Sequence, residues 1–176
     1  MSASPEHVSY AIGRAVLQIP TGELIDAWIE QNLLATPRLP SRSLPVPKIG
    51  ETWPEEFGVF AGICRGQDGS EDYYLIVPST PAAQTKGLQW QAALDWARAL
   101  AGPGTSGCTL PNRQEMRVLW ANVPELFETD EWYWTSEQYA GLDAYAWAQG
   151  FGYGSQGYCF KDNEFRARVV RRLTIR

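Results

Sequence analysis

The chain has 176 residues, of which 44% are hydrophobic and 12% aromatic, and its formal net charge at pH 7 is −5. This length gives room for one domain with an appendage, and such a composition can build a core without metal or disulfide support. The acidic balance argues against broad nucleic-acid binding, which needs a basic face. Three widely spaced cysteines with no Cys-x-x-Cys pair are neither a disulfide framework nor a zinc site.

The N-terminus lacks the basic region and apolar run of a signal peptide. No apolar stretch approaches the roughly 20 residues of a membrane span. We therefore expect a protein that is made in a reducing cytoplasm and does not insert into a membrane.

Residues 1–35 are predicted to form two short amphipathic helices. Ser4 and Pro5 are a helix-start signal, and an apolar series follows at helical spacing from Val8 to Ile19. A second helix is expected to carry Leu24, Ile25, Trp28, Ile29 and Leu33. Helices this short cannot bury their apolar faces alone, so the segment is expected to attach the chain to a partner or to oligomerise it.

Residues 36–47 contain four prolines and are predicted to form an extended linker. The domain is therefore expected to span 48–176. Strands are predicted at 58–65 and 73–77, joined by a turn, followed by a helix at 88–100 and a second helix from Asn112. Short strands and turns are expected after Pro124. This order lacks βαβ alternation and predicts an α+β fold.

Catalytic residue types are sparse. His7 is the only histidine and lies far from any nucleophile signature, so we expect no Ser/His or Cys/His catalysis. The glycines between 150 and 157 do not have the context of a phosphate-binding loop. Asp143, Asp162, Asn163 and Glu164 fit no EF-hand spacing, although a loop calcium site stays open. We expect no cofactor and no metal ligand set.

Five arginines lie near the C-terminus: Arg166, Arg168, Arg171, Arg172 and Arg176. Pairing with carboxylates of the domain is the favoured interpretation. Binding of an anion or a nucleic acid is the alternative.

The chain resembles a known family along residues 84–176. The matching features are the Trp90 helix, Thr109-Leu-Pro-Asn-Arg-Gln-Glu115, Trp132-Tyr-Trp-Thr-Ser-Glu137, Ala146-Trp147, Phe151, Gly154-Ser-Gln156, Lys161 and Arg166-Ala-Arg-Val-Val-Arg171. Together they resemble the C-type lectin-like domain at the C-terminus of a collagen-like bacterial adhesin, and the variable proteins of diversity-generating retroelements. One departure is Cys108-Thr-Leu-Pro111, where the family has Trp-Arg-Leu-Pro.

The resemblance implies a C-type lectin-like fold and binding in place of catalysis. The landmarks Trp132, Trp134, Trp147 and Phe151 are expected to lie in the core. By the resemblance, contact residues fall between the landmarks; they are Gln138, Tyr139, Leu142, Asp143, Tyr145, Tyr153, Ser155, Tyr158, Phe160, Asp162, Asn163 and Phe165. Tyrosines suit this role because they offer large, rigid contact area. The calcium motifs of sugar-binding lectins are missing.

The leading hypothesis is a non-enzymatic recognition module, a phage tail-fibre or baseplate tip protein that binds a host-surface receptor, either protein or glycan. Residues 1–35 would attach it to tail proteins or assemble it, with a trimer favoured, and it would reside in the virion tail. The alternative is a structural tail-fibre component or fibre-assembly chaperone without its own receptor. A third hypothesis, an enzyme related to formylglycine-generating enzymes, lacks a matching context around Cys108 and Cys159.

Overall fold

A computed structural model describes residues 7–12, 15–20, 46–67 and 69–175. The chain divides into two compact units, Met1–Pro45 and Val46–Arg176. In the first unit, strand β1 (His7–Ile12) pairs antiparallel with strand β2 (Ala15–Pro20), with Ile12 opposite Ala15.

The prediction of a helix across Val8–Ile19 is therefore wrong. The same residues also alternate with the period of a strand, because Val8, Tyr10 and Ile12 are separated by single residues. Only two residues separate the paired strands, the commonest hairpin spacing, and one of them is Gly13. The second predicted helix and residues 36–45 of the predicted linker lie outside the described residues.

The second unit contains nine strands and two α-helices among its described residues. The strands are β3 (Thr52–Trp53), β4 (Gly58–Cys64), β5 (Tyr73–Pro78), β6 (Gln84–Leu88), β7 (Trp132–Gln138), β8 (Tyr145–Gly150), β9 (Gln156–Phe160), β10 (Phe165–Arg168) and β11 (Arg171–Thr174). The helices are α1 (Trp90–Ala99) and α2 (Arg113–Asn122), and single 3-10 turns occur at Pro54–Glu56, Pro81–Ala83 and Pro124–Leu126. The predicted strand pair, both helices and the mixed α+β class are confirmed.

The strands form two sheets. One has the order β11-β5-β4-β3, and the other has the order β6-β10-β7-β8-β9. All pairs are antiparallel except β10 with β7, where Arg166 lies opposite Tyr133. The C-terminal strand β11 thus pairs with β5 of the β4–β5 hairpin, which brings the end of this unit back beside its beginning.

Helix α2 packs between the two sheets. Its start is fixed by a capping box, in which the Asn112 side chain accepts from the Glu115 N–H and the Glu115 carboxylate accepts from the Asn112 N–H. Met116 and Leu119 are fully buried in a cluster with residues of both sheets and of the β10–β11 connection, which are Ala61, Leu75, Val77, Tyr133 and Val170. Helix α1 packs on the opposite face of the five-stranded sheet, where Trp90 and Ala93 meet Trp134, Ala146 and Ala148.

Three of the five C-terminal arginines pair with carboxylates of the domain, as predicted. Arg168 instead donates to the Gln84 side chain and the Leu126 carbonyl, and Arg176 lies outside the described residues. Arg166 lies 3.6 Å from Glu131, Arg171 pairs with Glu56, and Arg172 forms a two-pronged contact with Glu115 at 2.5 and 2.7 Å. Glu115 is fully buried and also accepts a hydrogen bond from the Tyr73 hydroxyl at 2.7 Å. These bonds join β5, α2 and β11 at one point.

Two neutral groups beside Glu115 make stability fall in alkali. Burial, aided by the Glu115 charge, raises the pKa of the Cys64 thiol from 9.0 to about 11. Burial and the bond to Glu115 also raise the pKa of Tyr73. As the pH rises, the unfolded chain loses these protons before the folded chain does. The stability that they contribute is therefore retained below about pH 9 and lost between about pH 9 and pH 11. Cys64 alone should lower the free energy of unfolding by about 2 kcal/mol over this interval.

Urea unfolding at about pH 8 and about pH 10.5 measures this loss. The Cys64→Ala variant should show a smaller loss over the same interval, because it removes one of the two groups. A wild-type free energy of unfolding that is unchanged or higher at the alkaline pH would contradict the assignment.

Candidate ligand-binding face

Strands β7, β8 and β9 form an antiparallel meander at one side of the five-stranded sheet. In the β8–β9 ladder, Tyr145 lies opposite Phe160 and Trp147 lies opposite Tyr158. Ala146 and Ala148, which alternate with these residues, are fully buried against α1. Because side chains alternate across a strand, the four aromatic rings all stand on the other face of the sheet.

Helix α2 covers only part of that other face. It packs over Tyr133 and Gln149, and the Gln149 side chain donates to the Met116 carbonyl at 2.9 Å. The helix begins at Arg113, so the sheet beyond it has no helix on top. We call the uncovered side chains the aromatic face; they are Tyr139, Tyr145, Trp147, Tyr158 and Phe160.

The rings of the aromatic face hold one another in place. Tyr158 is central: it stacks on Tyr139 with centroids 4.3 Å apart and meets Tyr145 and Trp147 edge-on at 5.7 and 5.8 Å. Tyr145 also lies 4.2 Å from Phe160. Tyr158 and Phe160 remain 51% and 54% exposed. Such contacts order the rings without burying them.

A polar network fixes the border between helix and aromatic face. The Arg113 guanidinium lies 3.5 Å from the centroid of the Trp147 ring, and its Nε donates to the Gln156 side chain at 3.3 Å. Gln156 in turn donates to the Arg113 carbonyl and to the Gln149 side chain, both at 2.7 Å. The Arg113 N–H donates to Glu137 at 2.8 Å. The Arg113 side chain therefore packs on the Trp147 ring and holds it in position.

A second polar chain borders the far end of the aromatic face. Lys161 donates to Gln138 at 2.7 Å, and Gln138 donates to Asp143 at 3.0 Å. The Lys161 ammonium also lies 4.5 Å from the centroid of the Trp90 ring. These contacts tie the turn between β7 and β8 to the end of β9.

The comparison with known families bears on this same part of the chain. Residues 63–171, more than half of the 176, match the Lcl C-terminal domain family. The chain belongs to the Lcl C-terminal domain family. The predicted resemblance is thereby confirmed, and membership is consistent with an adhesin-like or receptor-binding module. A comparison with curated proteins finds no match.

Within this Lcl C-terminal domain, the structure brings together most of the predicted contact residues. Gln138, Tyr139, Leu142, Asp143 and Tyr145 lie along the turn from β7 to β8. Tyr158 and Phe160 lie beside them on β9, and Asp162 and Asn163 are exposed in the turn that follows. Whether these residues contact a ligand stays a prediction, but they share one surface.

Tyr153 and Ser155 do not share that surface. They lie in the loop between β8 and β9, at the opposite end of a ladder of five residue pairs that is about 13 Å long. Tyr153 is 93% exposed and lines a small pocket with Thr129, Asp130 and Glu131 of the turn before β7 and with Trp132, the first residue of β7. The predicted contact set therefore splits into two separate places.

Two aromatic assignments need correction. Phe165, predicted as a contact residue, packs on the core side with its ring centroid 4.6 Å from that of Trp134. Trp147, predicted as core, is only half-buried and belongs to the aromatic face. Trp134 and Phe151 are buried as expected, whereas Trp132 is half-buried against the α1 cluster.

Arg113 lies in the motif at 109–115, but the sequence pattern assigns it no role at the binding face. Its type and position at the start of a helix are ordinary, and its neighbour Trp147 is 34 residues away in sequence. Only the packing of α2 across β8 brings them together. Within the described ranges, no group of three or more His, Cys, Asp and Glu side chains could hold a metal ion. No helix of this part is long and apolar enough to cross a membrane.

Gly154 positions the loop that carries Tyr153. It has φ +67°, and a Cβ there would lie 2.6 Å from the Trp120 ring, whose Nε1 donates to the Phe151 carbonyl. We expect Gly154→Ala to destabilise the domain by about 2 kcal/mol or more, since left-handed strain and overpacking add. Gly107→Ala is the matched control, because Gly107 has φ +73° and open space around it.

Gly107→Ala should lower the free energy of unfolding by only about 1 kcal/mol, because it adds backbone strain without overpacking. Thermal or urea unfolding of both variants gives the comparison. Equal losses would show that Trp120 moves away freely and does not fix the loop.

Proposed function

We propose that this chain is a non-enzymatic recognition module, with a C-type lectin-like fold, whose aromatic face binds a receptor on a host cell surface. The observation that carries the proposal is the exposure of Tyr158 and Phe160 within an ordered cluster of rings. Contiguous apolar surface of this kind is typical of interaction sites. Because neighbouring rings already restrain each side chain, little conformational entropy is lost when a ligand binds.

The setting of the aromatic face supports recognition by shape and stacking. The two cations beside it, Arg113 and Lys161, are already engaged with Trp147 and Gln138. Amide and carboxylate groups at the border, such as Gln138 and Asp143, offer hydrogen bonds to a ligand. A protein loop or a glycan could use such a surface, and neither needs a metal there.

We further propose that the module acts at the tip of a phage tail fibre or baseplate and that residues 1–35 attach it there. A trimeric assembly in the virion tail is the expected arrangement. In the alternative role, as a structural fibre component or assembly chaperone, the aromatic face would be covered by another fibre protein. Immunogold labelling of intact virions with an antibody raised against the aromatic face separates the two: tip labelling supports recognition, and absence of label supports the structural role.

Binding itself is tested with the purified chain, fluorescently labelled, on a panel of bacterial cells. We expect the wild-type chain to bind at least one strain and the combined Tyr145→Ser, Tyr158→Ser and Phe160→Ser variant to lose that binding. Tyr153→Ser is the control and should bind like wild type, because it changes an exposed tyrosine outside the aromatic face. Equal binding by the triple variant and the wild type would refute the proposed site.

A further inference from the structure

Strand β9 ends the five-stranded sheet and leaves one row of backbone groups facing away from it. The Lys161 N–H donates to the Ala144 carbonyl at 2.9 Å, and the Gly150 N–H donates to the Ser155 carbonyl at 3.0 Å. Hydrogen-bonded pairs alternate along an antiparallel ladder, so Cys159 and Gly157 also bond to β8. The N–H and C=O groups of Gln156, Tyr158 and Phe160 therefore point outward.

The other three edges of the two larger sheets, those formed by the described strands β3 to β11, carry features that hinder pairing. Strand β6 has the exposed Lys86, a left-handed Gly87 and a register shift against β10. Strand β3 has two residues and is followed by Pro54. Strand β11 begins with two arginines. Charge, proline, irregularity and shortness are the usual protections of an edge strand.

Strand β9 has none of these protections. Its sequence, Gln-Gly-Tyr-Cys-Phe, contains no charge and no proline, and its register with β8 is regular over five residue pairs. Nothing in the strand therefore opposes the addition of another strand, and its outward groups form a template for one.

We propose that two copies of this chain pair antiparallel through β9, with Tyr158 of one copy opposite Tyr158 of the other. In this register the outward groups of both Tyr158 residues exchange two hydrogen bonds. Gln156 of each copy then lies opposite Phe160 of the other, where their outward groups also meet, although the Phe160 carbonyl already accepts from the Asn163 N–H. The strand is thus complementary to itself about a two-fold axis.

Charge favours a second copy as the occupant. The whole chain carries a formal charge of −5, so close approach of two copies is opposed wherever like charges face each other. Because β9 carries no charged residue, pairing of two β9 strands places no like charges opposite each other. On the sheet face turned toward α1, small residues face one another, because Gly157 lies opposite Cys159 in the proposed register.

The pairing leaves the aromatic face open. Side chains stand perpendicular to a sheet, whereas strand addition proceeds within its plane. The sheets of two copies would become one ten-stranded sheet, and their two aromatic faces would lie side by side on the same surface. A ligand with repeated epitopes would then meet two adjacent sites.

The test compares the mass of the full chain by analytical ultracentrifugation over a range of concentrations. Tyr158→Pro removes the outward N–H at the centre of the pairing and leaves the bonds to β8 intact. Tyr158→Ala is the matched control, since it removes the ring and keeps the N–H. We expect the wild-type mass to double as the protein concentration rises. The concentration at which half of the chains are paired should be at least about tenfold higher for the proline variant than for the alanine variant.

Tyr158→Lys gives a second, independent test if the proline variant does not fold. It places two ammonium groups across the axis, so association should weaken at low salt and recover at high salt. If residues 1–35 assemble copies on their own, the doubling is measured relative to the mass of the Tyr158→Lys variant at low salt. A wild-type mass equal to that of the Tyr158→Lys variant at low salt at every concentration, or equal association of the alanine, lysine and proline variants, would overturn the proposal.

Discussion

Replacing Arg172 with methionine is expected to destabilise the Val46–Arg176 unit by about 3 to 5 kcal/mol. The substitution keeps an unbranched apolar stem and removes both bonds to Glu115 and the bond to the Thr109 hydroxyl. Glu115 has no solvent exposure and would remain a buried charge with only Tyr73 and Asn112 as hydrogen-bond donors. Losing one partner of a buried pair costs more than the pair contributes, because the other charge stays desolvated.

The matched control is Arg98→Met. Arg98 pairs with Asp95 at 3.0 Å, but both side chains are more than half exposed, so this pair should contribute less than about 0.5 kcal/mol. Urea unfolding of both variants at neutral pH measures the difference. Similar losses at the two sites would show that Glu115 is solvated in the native protein and that the cluster does not fasten α2 to the four-stranded sheet.

Replacing Tyr158 with alanine is expected to weaken receptor binding by about 2 kcal/mol or more, which is about 30-fold or more in the dissociation constant. Tyr158 is the only ring of the aromatic face in contact with three others, so its loss removes contact area and releases Tyr139 and Tyr145. Aromatic side chains at the centre of an interaction surface are the commonest binding hot spots. Titration of fluorescent chain onto the recognised cells measures the change.

Stability separates this effect from misfolding. Because half of Tyr158 is already exposed, we expect Tyr158→Ala to cost less than about 1.5 kcal/mol of folding free energy. Tyr153→Ala, on an almost fully exposed tyrosine, should change neither binding nor stability measurably. If Tyr153→Ala weakened binding as much as Tyr158→Ala, the ligand would sit at the loop between β8 and β9.

Local signals predicted much of the second unit correctly. The Asn112–Glu115 capping box marks the start of α2 in sequence, and the helical spacing of Trp90, Ala93 and Ala97 predicts α1. These signals act over one or two turns and do not depend on the rest of the fold. Between Val8 and Ile19 the apolar residues fit both the spacing of a helix and the alternation of a strand, and the structure has strands there.

The position of the binding face depended on contacts far apart in sequence. Both faces of β8 carry apolar residues, so its sequence does not say whether Trp147 or Ala146 points inward. The orientation of β8 is set by the two helices. Helix α1 buries the alanines, and helix α2 begins at Arg113 and does not extend over Trp147. Tyr153 and Tyr158 are the same residue type in one glycine-rich stretch, and only the hairpin register separates them.

Hydroxyl-radical footprinting of the chain, free and bound to the cells it recognises, tests the central claim most directly. Oxidation rates are read at individual side chains by mass spectrometry. We predict protection of Tyr145, Tyr158 and Phe160 on binding, with Tyr153 oxidised at the same rate in both states. Protection of Tyr153 without protection of Tyr158 and Phe160 would contradict the account and would place the binding site at the other end of the β8–β9 hairpin.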